Sequence, residues 1–239
     1  MTYVLIGETI LFGVLALSQG PKMVDGCIDY FNYHFGSKPA AAGRVLNEEK
    51  KESLLEEKLK TFSGFEHVDQ YDSLIVKYTR QWNNEFSEEG KRFENYQPLD
   101  PNLVKAMVCA ESGSPADREG AFRYDPMQIA NKGDPAFPAL FNGSESGLEA
   151  YGQTDPVFGK KKQTPRGKGF WNYGALSEEE RMDKDTSIRI GIRWAFHKVW
   201  SFDSNGERSG FKGWDAALLG YNSRASYVKK VRGIFNRGK

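Results

Sequence analysis

The sequence predicts a mainly α-helical fold with long irregular loops and a helical N-terminal arm. Three observations carry this. Apolar residues recur at helical spacing at Tyr71, Leu74, Ile75, Tyr78 and Trp82, at Ile188, Ile192, Ala195 and Val199, and at Tyr227, Val228, Val231, Ile234 and Phe235. A further segment, "LDPNLVKAMVCAESG", supplies its own start and stop: Asp100 can cap, Pro101 suits the first helical position and Gly113 can end the helix. Residues 113 to 185, rich in Gly, Pro, Asp and Lys, hold neither the helical nor the strand period and read as loop.

In chain order, the opening "MTYVLIGETILFGVLALSQG" is apolar, but Glu8 interrupts it and the run from Ile10 to Leu17 falls short of the roughly 18 residues of a spanning helix. No Lys or Arg precedes it, so it makes no convincing signal peptide, and a buried or interfacial segment is expected. "GSKPAAAGR" has connector composition. In "NEEKKESLLEEKLKTF", Leu55, Leu59 and Phe62 lie at i, i+4 and i+7 among charges that nearly cancel, the pattern of a solvated helix that packs along one narrow edge. These three pieces form an arm over residues 1 to 65, and residues 66 to 239 form the main domain. Within the loops, Lys160, Lys161 and Lys162 read as a solvated, mobile tip. "GWDAALLGYN" adds a short helix before the last stripe.

Composition excludes several function classes. Lys plus Arg total 33 against 32 Asp plus Glu, far from the basic excess of a duplex-binding domain, so nucleic acid is not an expected partner. His34, His67 and His197 have no metal-ligand spacing, and no phosphate-loop or Gly-x-Ser-x-Gly pattern occurs, so neither metal nor cofactor is expected. Cys27 and Cys109 allow one bridge but no disulfide framework. A cysteine hydrolase pairing Cys109 with His197 is disfavoured, because Cys109 lies in the last turn of its helix, away from the N-terminal end that activates a thiolate.

One residue breaks its helix's pattern. At about 100° per residue from Leu103, Met107 lies near 40°, Val104 near 100°, Val108 near 140° and Glu111 near 80°, in the middle of the apolar arc, whereas Lys105 and Ser112 fall on the opposite, polar side. A carboxyl withdrawn from water at the negative end of a helix dipole is pushed toward its protonated form. Such an acid can donate a proton to a leaving oxygen, as in glycosidic cleavage. The competing reading is that Glu111 reaches past the helix end to water or to an arginine.

The segment that carries Glu111, "LDPNLVKAMVCAESG", resembles the opening of the catalytic domain of soluble-type lytic transglycosylases and goose-type lysozymes, where a helix ends in Glu-Ser. "YDSLIVKYTRQW" resembles the helix ahead of that motif, "GAFRYDPMQIAN" the Gly-Leu-Met-Gln-Ile segment after it, and "SIRIGIRWAFHKVW" the helix before the last motif. "WDAALLGYNSRASYVKKVRGI" resembles the closing Ala-Tyr-Asn motif with its terminal helix. The five segments, in family order, span about residues 68 to 235.

The resemblance implies a lysozyme-like catalytic domain that cuts the MurNAc-(β1,4)-GlcNAc bond of peptidoglycan, with Glu111 as acid and base. It implies a cleft lined by Ser112, Met127, Gln128, Tyr221 and Asn222, in which Gln128 and Asn222 hydrogen-bond sugar groups and Tyr221 fixes the acid or the glycan. A periplasmic or cell-wall site of action follows, reached by export or by injection as an antibacterial effector, with a secretion apparatus or an immunity protein as further partners. Two departures, "YDP" before Met127 and "GYNSR" at the closing motif, put subsite detail in doubt, and residues 132 to 185 match nothing in the family.

Two alternatives stay open. A muramidase that hydrolyses needs a second carboxylate about 5 to 9.5 Å from the first. Asp117, Asp125 and Asp134 are the candidates, Asp125 foremost because it adjoins Met127 and Gln128. A lysozyme-like fold can also hold glycan or a partner without cutting it.

Overall fold

The computed structural model describes residues 58–114, 120–165 and 172–239, which are mainly helical. A 3₁₀ turn (Glu66–Tyr71) runs into helix α1 (Asp72–Glu85), which buries Ile75, Tyr78 and Trp82 of the expected stripe. The short α2 (Ser87–Gly90) follows. Helix α3 (Pro101–Glu111) begins as the sequence predicts: the Asp100 side chain accepts a hydrogen bond from the Asn102 amide, and Pro101 occupies the first turn, where no amide is needed. Three short helices, α4 (Ala121–Tyr124), α5 (Ala136–Asn142) and α6 (Tyr151–Thr154), occupy the stretch expected to be loop. Helix α7 (Lys184–Val199) is capped by Asp183 on the Thr186 amide, and leads through strands β1 (Trp200–Phe202) and β2 (Arg208–Phe211) to α8 (Trp214–Asn222) and α9 (Ala225–Arg237).

Helix α3 packs against both α1 and α9, and α7 against both α1 and α8. This arrangement overturns the amphipathic reading of α3. Lys105 and Ser112, placed on a polar face by the wheel, are both wholly buried. The ammonium of Lys105 is accommodated by carboxylates at 2.7 Å (Asp69) and 2.8 Å (Asp72). From Leu103 to Ala110 every residue of the helix is buried, which leaves it no solvent face, so its polar residues must find partners inside.

Of the lysines at 160 to 162, the first and last are solvated as expected and the middle one is not. Lys161 is buried and paired with Asp183 at 2.9 Å, Lys160 meets Glu179 at 2.7 Å, and Lys162 pairs with Glu180. The β1–β2 hairpin went unforeseen although "SNGE" at its centre carries the Asn-Gly turn signal. Its Trp200 packs among Phe93, Tyr96 and Phe211.

Residues 58 to 62, the described end of the expected charged helix, are not helical. Leu59 and Phe62 lie in the core, and Thr61 exchanges two backbone hydrogen bonds with Lys239, so the folded unit starts a few residues ahead of 66. The apolar opening segment, the connector and the rest of that helix lie outside the described residues, as do Cys27, His34 and Asp117. Among the described residues no helix is long and apolar enough to cross a membrane.

Candidate functional site

Glu111 is the last residue of α3 and is only partly exposed. Its Oε1 accepts a hydrogen bond from Asn222 Nδ2 at 3.3 Å, contributed by the end of α8. The Tyr227 hydroxyl of α9 is buried, has no other hydrogen-bond partner among the described residues, and lies close enough to the Glu111 carboxyl to favour its charge. Lys230, one turn further along α9, donates to the Ala110 carbonyl at 2.6 Å and satisfies one of the acceptors left open at the C-terminus of α3.

Desolvation dominates this balance. Burial pushes the Glu111 carboxyl up to about 7, against the opposing pulls of Tyr227, Asn222 and Lys230, and the charge of Asp134 pushes in the same direction as burial. The group therefore holds its proton near neutrality, where an ordinary glutamate has lost it.

A second wall comes from residues 125 to 131. Asp125 is fully buried and organises this loop: Oδ1 accepts from the Ile129 amide at 3.1 Å and from Ser187 Oγ at 2.6 Å, and Oδ2 accepts from the Ala130 amide at 2.7 Å. Burial pushes the Asp125 carboxyl up to about 6 in spite of these donors. A carboxylate so enclosed cannot position a water in a cleft, and the expectation of Asp125 as a second catalytic carboxylate is corrected to that of a loop anchor.

The loop it anchors contains Gln128 at φ 55°, a left-handed conformation that a residue with a side chain adopts at a cost of about 1–2 kcal/mol. Gln128 Nε2 donates to the Asp125 carbonyl at 2.7 Å and its Oε1 accepts from Asn131 at 3.0 Å. These bonds offset the backbone cost and occupy the amide expected to bind sugar.

The other expected residues divide similarly. Tyr221 donates to the Met127 carbonyl at 2.7 Å and stacks parallel to Tyr227, joining the loop to the two C-terminal helices. Ser112 is buried and donates to the Pro126 carbonyl at 2.8 Å, so it ties the end of α3 to the loop instead of lining a cleft. Met127 is also buried; its amide donates to Ser187 Oγ at 3.1 Å and its side chain rests on Gly191 of α7. Thus Glu111, Asn222 and Tyr221 are gathered, with Gln128, Met127, Ser112 and Asp125 holding the scaffold behind them. Sequence reasoning missed Tyr227 and Lys230, and it named Asp134 only among the possible second carboxylates. Tyr227 was hidden because it fits the apolar stripe of α9 equally well.

Gly191 leaves no room for a side chain: a Cβ there would meet Met127 Cβ at 2.5 Å. Gly191→Ala is expected to displace Met127 and, through its carbonyl, Tyr221, at about 1–3 kcal/mol of overpacking, read as a lower urea midpoint with an unchanged slope.

The cysteine pairing finds no support in the geometry. Cys109 is a buried free thiol pushed up to about 12 by desolvation, and His197 is engaged by Glu145 at 2.8 Å and held near 4 by its own burial. Among the described residues no group of three His, Cys, Asp or Glu is placed to hold a metal ion. No family model, no curated protein and no solved structure matches this chain.

Proposed function

We propose that the chain is a lysozyme-like peptidoglycan lytic transglycosylase in which Glu111 serves first as acid and then as base. The observation that carries this reading is the Glu111 carboxyl itself, raised to about 7 at the end of a buried helix, with Asn222 and Tyr227 turned toward it. Protonated Glu111 gives its proton to the bridging oxygen as the bond from that oxygen to the MurNAc C1 breaks. The resulting carboxylate then takes the proton of the 6-hydroxyl on the same MurNAc as that oxygen bonds to C1. Atoms and charge balance, the product is a 1,6-anhydro end, and no second carboxylate is required. Asn222 and Tyr227 oppose the effect of burial, so they stabilise the ionised acid that exists between the two steps.

Mass spectrometry of the muropeptides released from purified peptidoglycan tests the reading. Anhydro ends support it, reducing ends make the chain a hydrolase, and no release leaves a non-catalytic glycan or partner binder.

Hydrolysis is favoured by one observation, the proximity of Asp134 to Glu111 that its charge effect implies. Asp134→Asn separates the two. Removing that charge lowers the Glu111 pKa, so a transglycosylase retains its product and most of its rate while the alkaline limb of its pH profile moves to lower pH. A hydrolase that relies on Asp134 as base instead loses about 10²-fold or more across the whole pH range.

On this reading the substrate sets the site of action, the periplasm or cell wall of the producing cell or of a target cell reached by injection. Roles in wall remodelling and in antibacterial attack both fit, the second with a secretion apparatus or an immunity protein as partner.

A further inference from the structure

A cavity of about 590 Å³ lies between α4, the 3₁₀ turn that precedes α1 and the start of α7, outside the constellation around Glu111. Among its aromatic lining residues Tyr71 and Phe122 are almost wholly buried and Tyr124 is partly exposed. Tyr71 donates to the Phe122 carbonyl at 2.7 Å and fixes α4 against the 3₁₀ turn. Two exposed cations, Arg123 and Lys184, stand at its rim, and neither takes part in an ion pair among the described residues. Arg123 lies 5.3 Å from the Tyr124 ring centre and Lys184 6.0 Å from that of Tyr71, so each charge is placed against an aromatic wall. The one carboxylate in the lining, Asp183, is committed elsewhere, to Lys161 and to the Thr186 amide and hydroxyl. The cavity therefore presents net positive charge beside the partly exposed ring of Tyr124.

The cavity also adjoins the loop that backs the candidate site. Tyr124 precedes Asp125, and the Asp125 carbonyl accepts from the Gln128 amide at 2.9 Å, a turn that keeps those two Cα atoms within about 7 Å. Adding one Cα step of 3.8 Å places Tyr124 within about 11 Å of Gln128.

We propose that this cavity binds the carboxylate-bearing peptide stem of the glycan strand being cut, an inference that rests on the peptidoglycan reading above. In an intact strand the lactyl carboxyl of MurNAc is taken up in the amide bond to the stem, so the sugar backbone offers a cation no acidic group, whereas the stem ends and branches in carboxylates. Arg123 and Lys184 take those carboxylates, and the exposed part of the Tyr124 ring takes neighbouring apolar groups.

Two measurements test it. The first titrates a purified stem tripeptide, with free or amidated carboxyl groups, into the intact protein and into the double variant Arg123→Glu, Lys184→Glu, followed by NMR. Amidation and double substitution are each expected to weaken binding about tenfold or more, and binding that is indifferent to both overturns the proposal. Amidation requires no variant, so it stands even if the double variant misfolds. The second compares release from stem-bearing strands and from amidase-stripped strands whose freed lactyl carboxyls have been capped as amides. The wild type should prefer stem-bearing strands and the variant should lose that preference while cleaving stripped strands at the wild-type rate; equal loss on both substrates overturns it. Stem binding without cleavage would sink the transglycosylase reading alone, and cleavage without stem binding would sink this inference alone.

Discussion

Glu111→Gln is expected to lower muropeptide release by 10²- to 10⁴-fold, the usual contribution of a positioned general acid and base. Gln keeps the shape and can still accept from Asn222, but has no proton of the required acidity to give. In the wild type, loss of activity as pH rises should centre near 7, because only the protonated carboxyl begins the reaction. The same substitution has an opposite effect on stability. The folded-state pKa lies above the unfolded value, so the native protein binds the extra proton and this group's favourable contribution is complete below about 4.5 and lost as pH rises through about 7. Glu111→Gln removes that loss. Its melting temperature should exceed the wild-type value at pH 8 and approach it at pH 4. A variant that is inactive but gains nothing at pH 8 would mean that Glu111 is not held in the unfavourable environment described.

The second large effect lies on the other side of α3. Lys105 is wholly buried, and among the described residues its charge is matched only by Asp69 and Asp72, both partly exposed. Replacing both aspartates, Asp69→Asn with Asp72→Asn, leaves an ammonium inside the protein without a counter-charge and is expected to cost about 3–5 kcal/mol in urea unfolding at pH 7. Lys105→Met, of similar volume, should cost far less, because the stranded carboxylates can turn toward water while the methionine fills the space. The asymmetry is the diagnostic result. Equal losses would mean that Lys105 contributes mainly through packing along its stem, which also passes near Phe62.

Helix content was legible where one face of a helix is apolar. The stripes of α1 and α9 mark the sides on which those helices are buried, at Ile75, Tyr78 and Trp82 in one and at Tyr227, Val231 and Ile234 in the other, whereas α7 kept a legible stripe although most of its residues are buried. Helix α3 misled for the converse reason: buried all round, its polar positions follow individual ion pairs that no periodicity encodes. Glu111 stood out because a carboxylate in an apolar arc is chemically discordant within a single helix. Tyr227 could not stand out, since it satisfies the packing stripe and the site at once. The role of Asp125 was misjudged because adjacency to Met127 and Gln128 does not say whether a carboxylate faces a cleft or the amides of its own loop. Three donors converge on it here.

The surroundings of the Glu111 carboxyl come from segments far apart in the chain: its own helix, Asp134 beyond the anchored loop, and Asn222, Tyr227 and Lys230 from the last two helices. In a disordered chain the same side chain would be an unexceptional acid, ionised at neutral pH. Its raised pKa is a product of folding, and on the proposed function a nascent or fragmented polypeptide would not cut glycan until the C-terminal helices have closed over it.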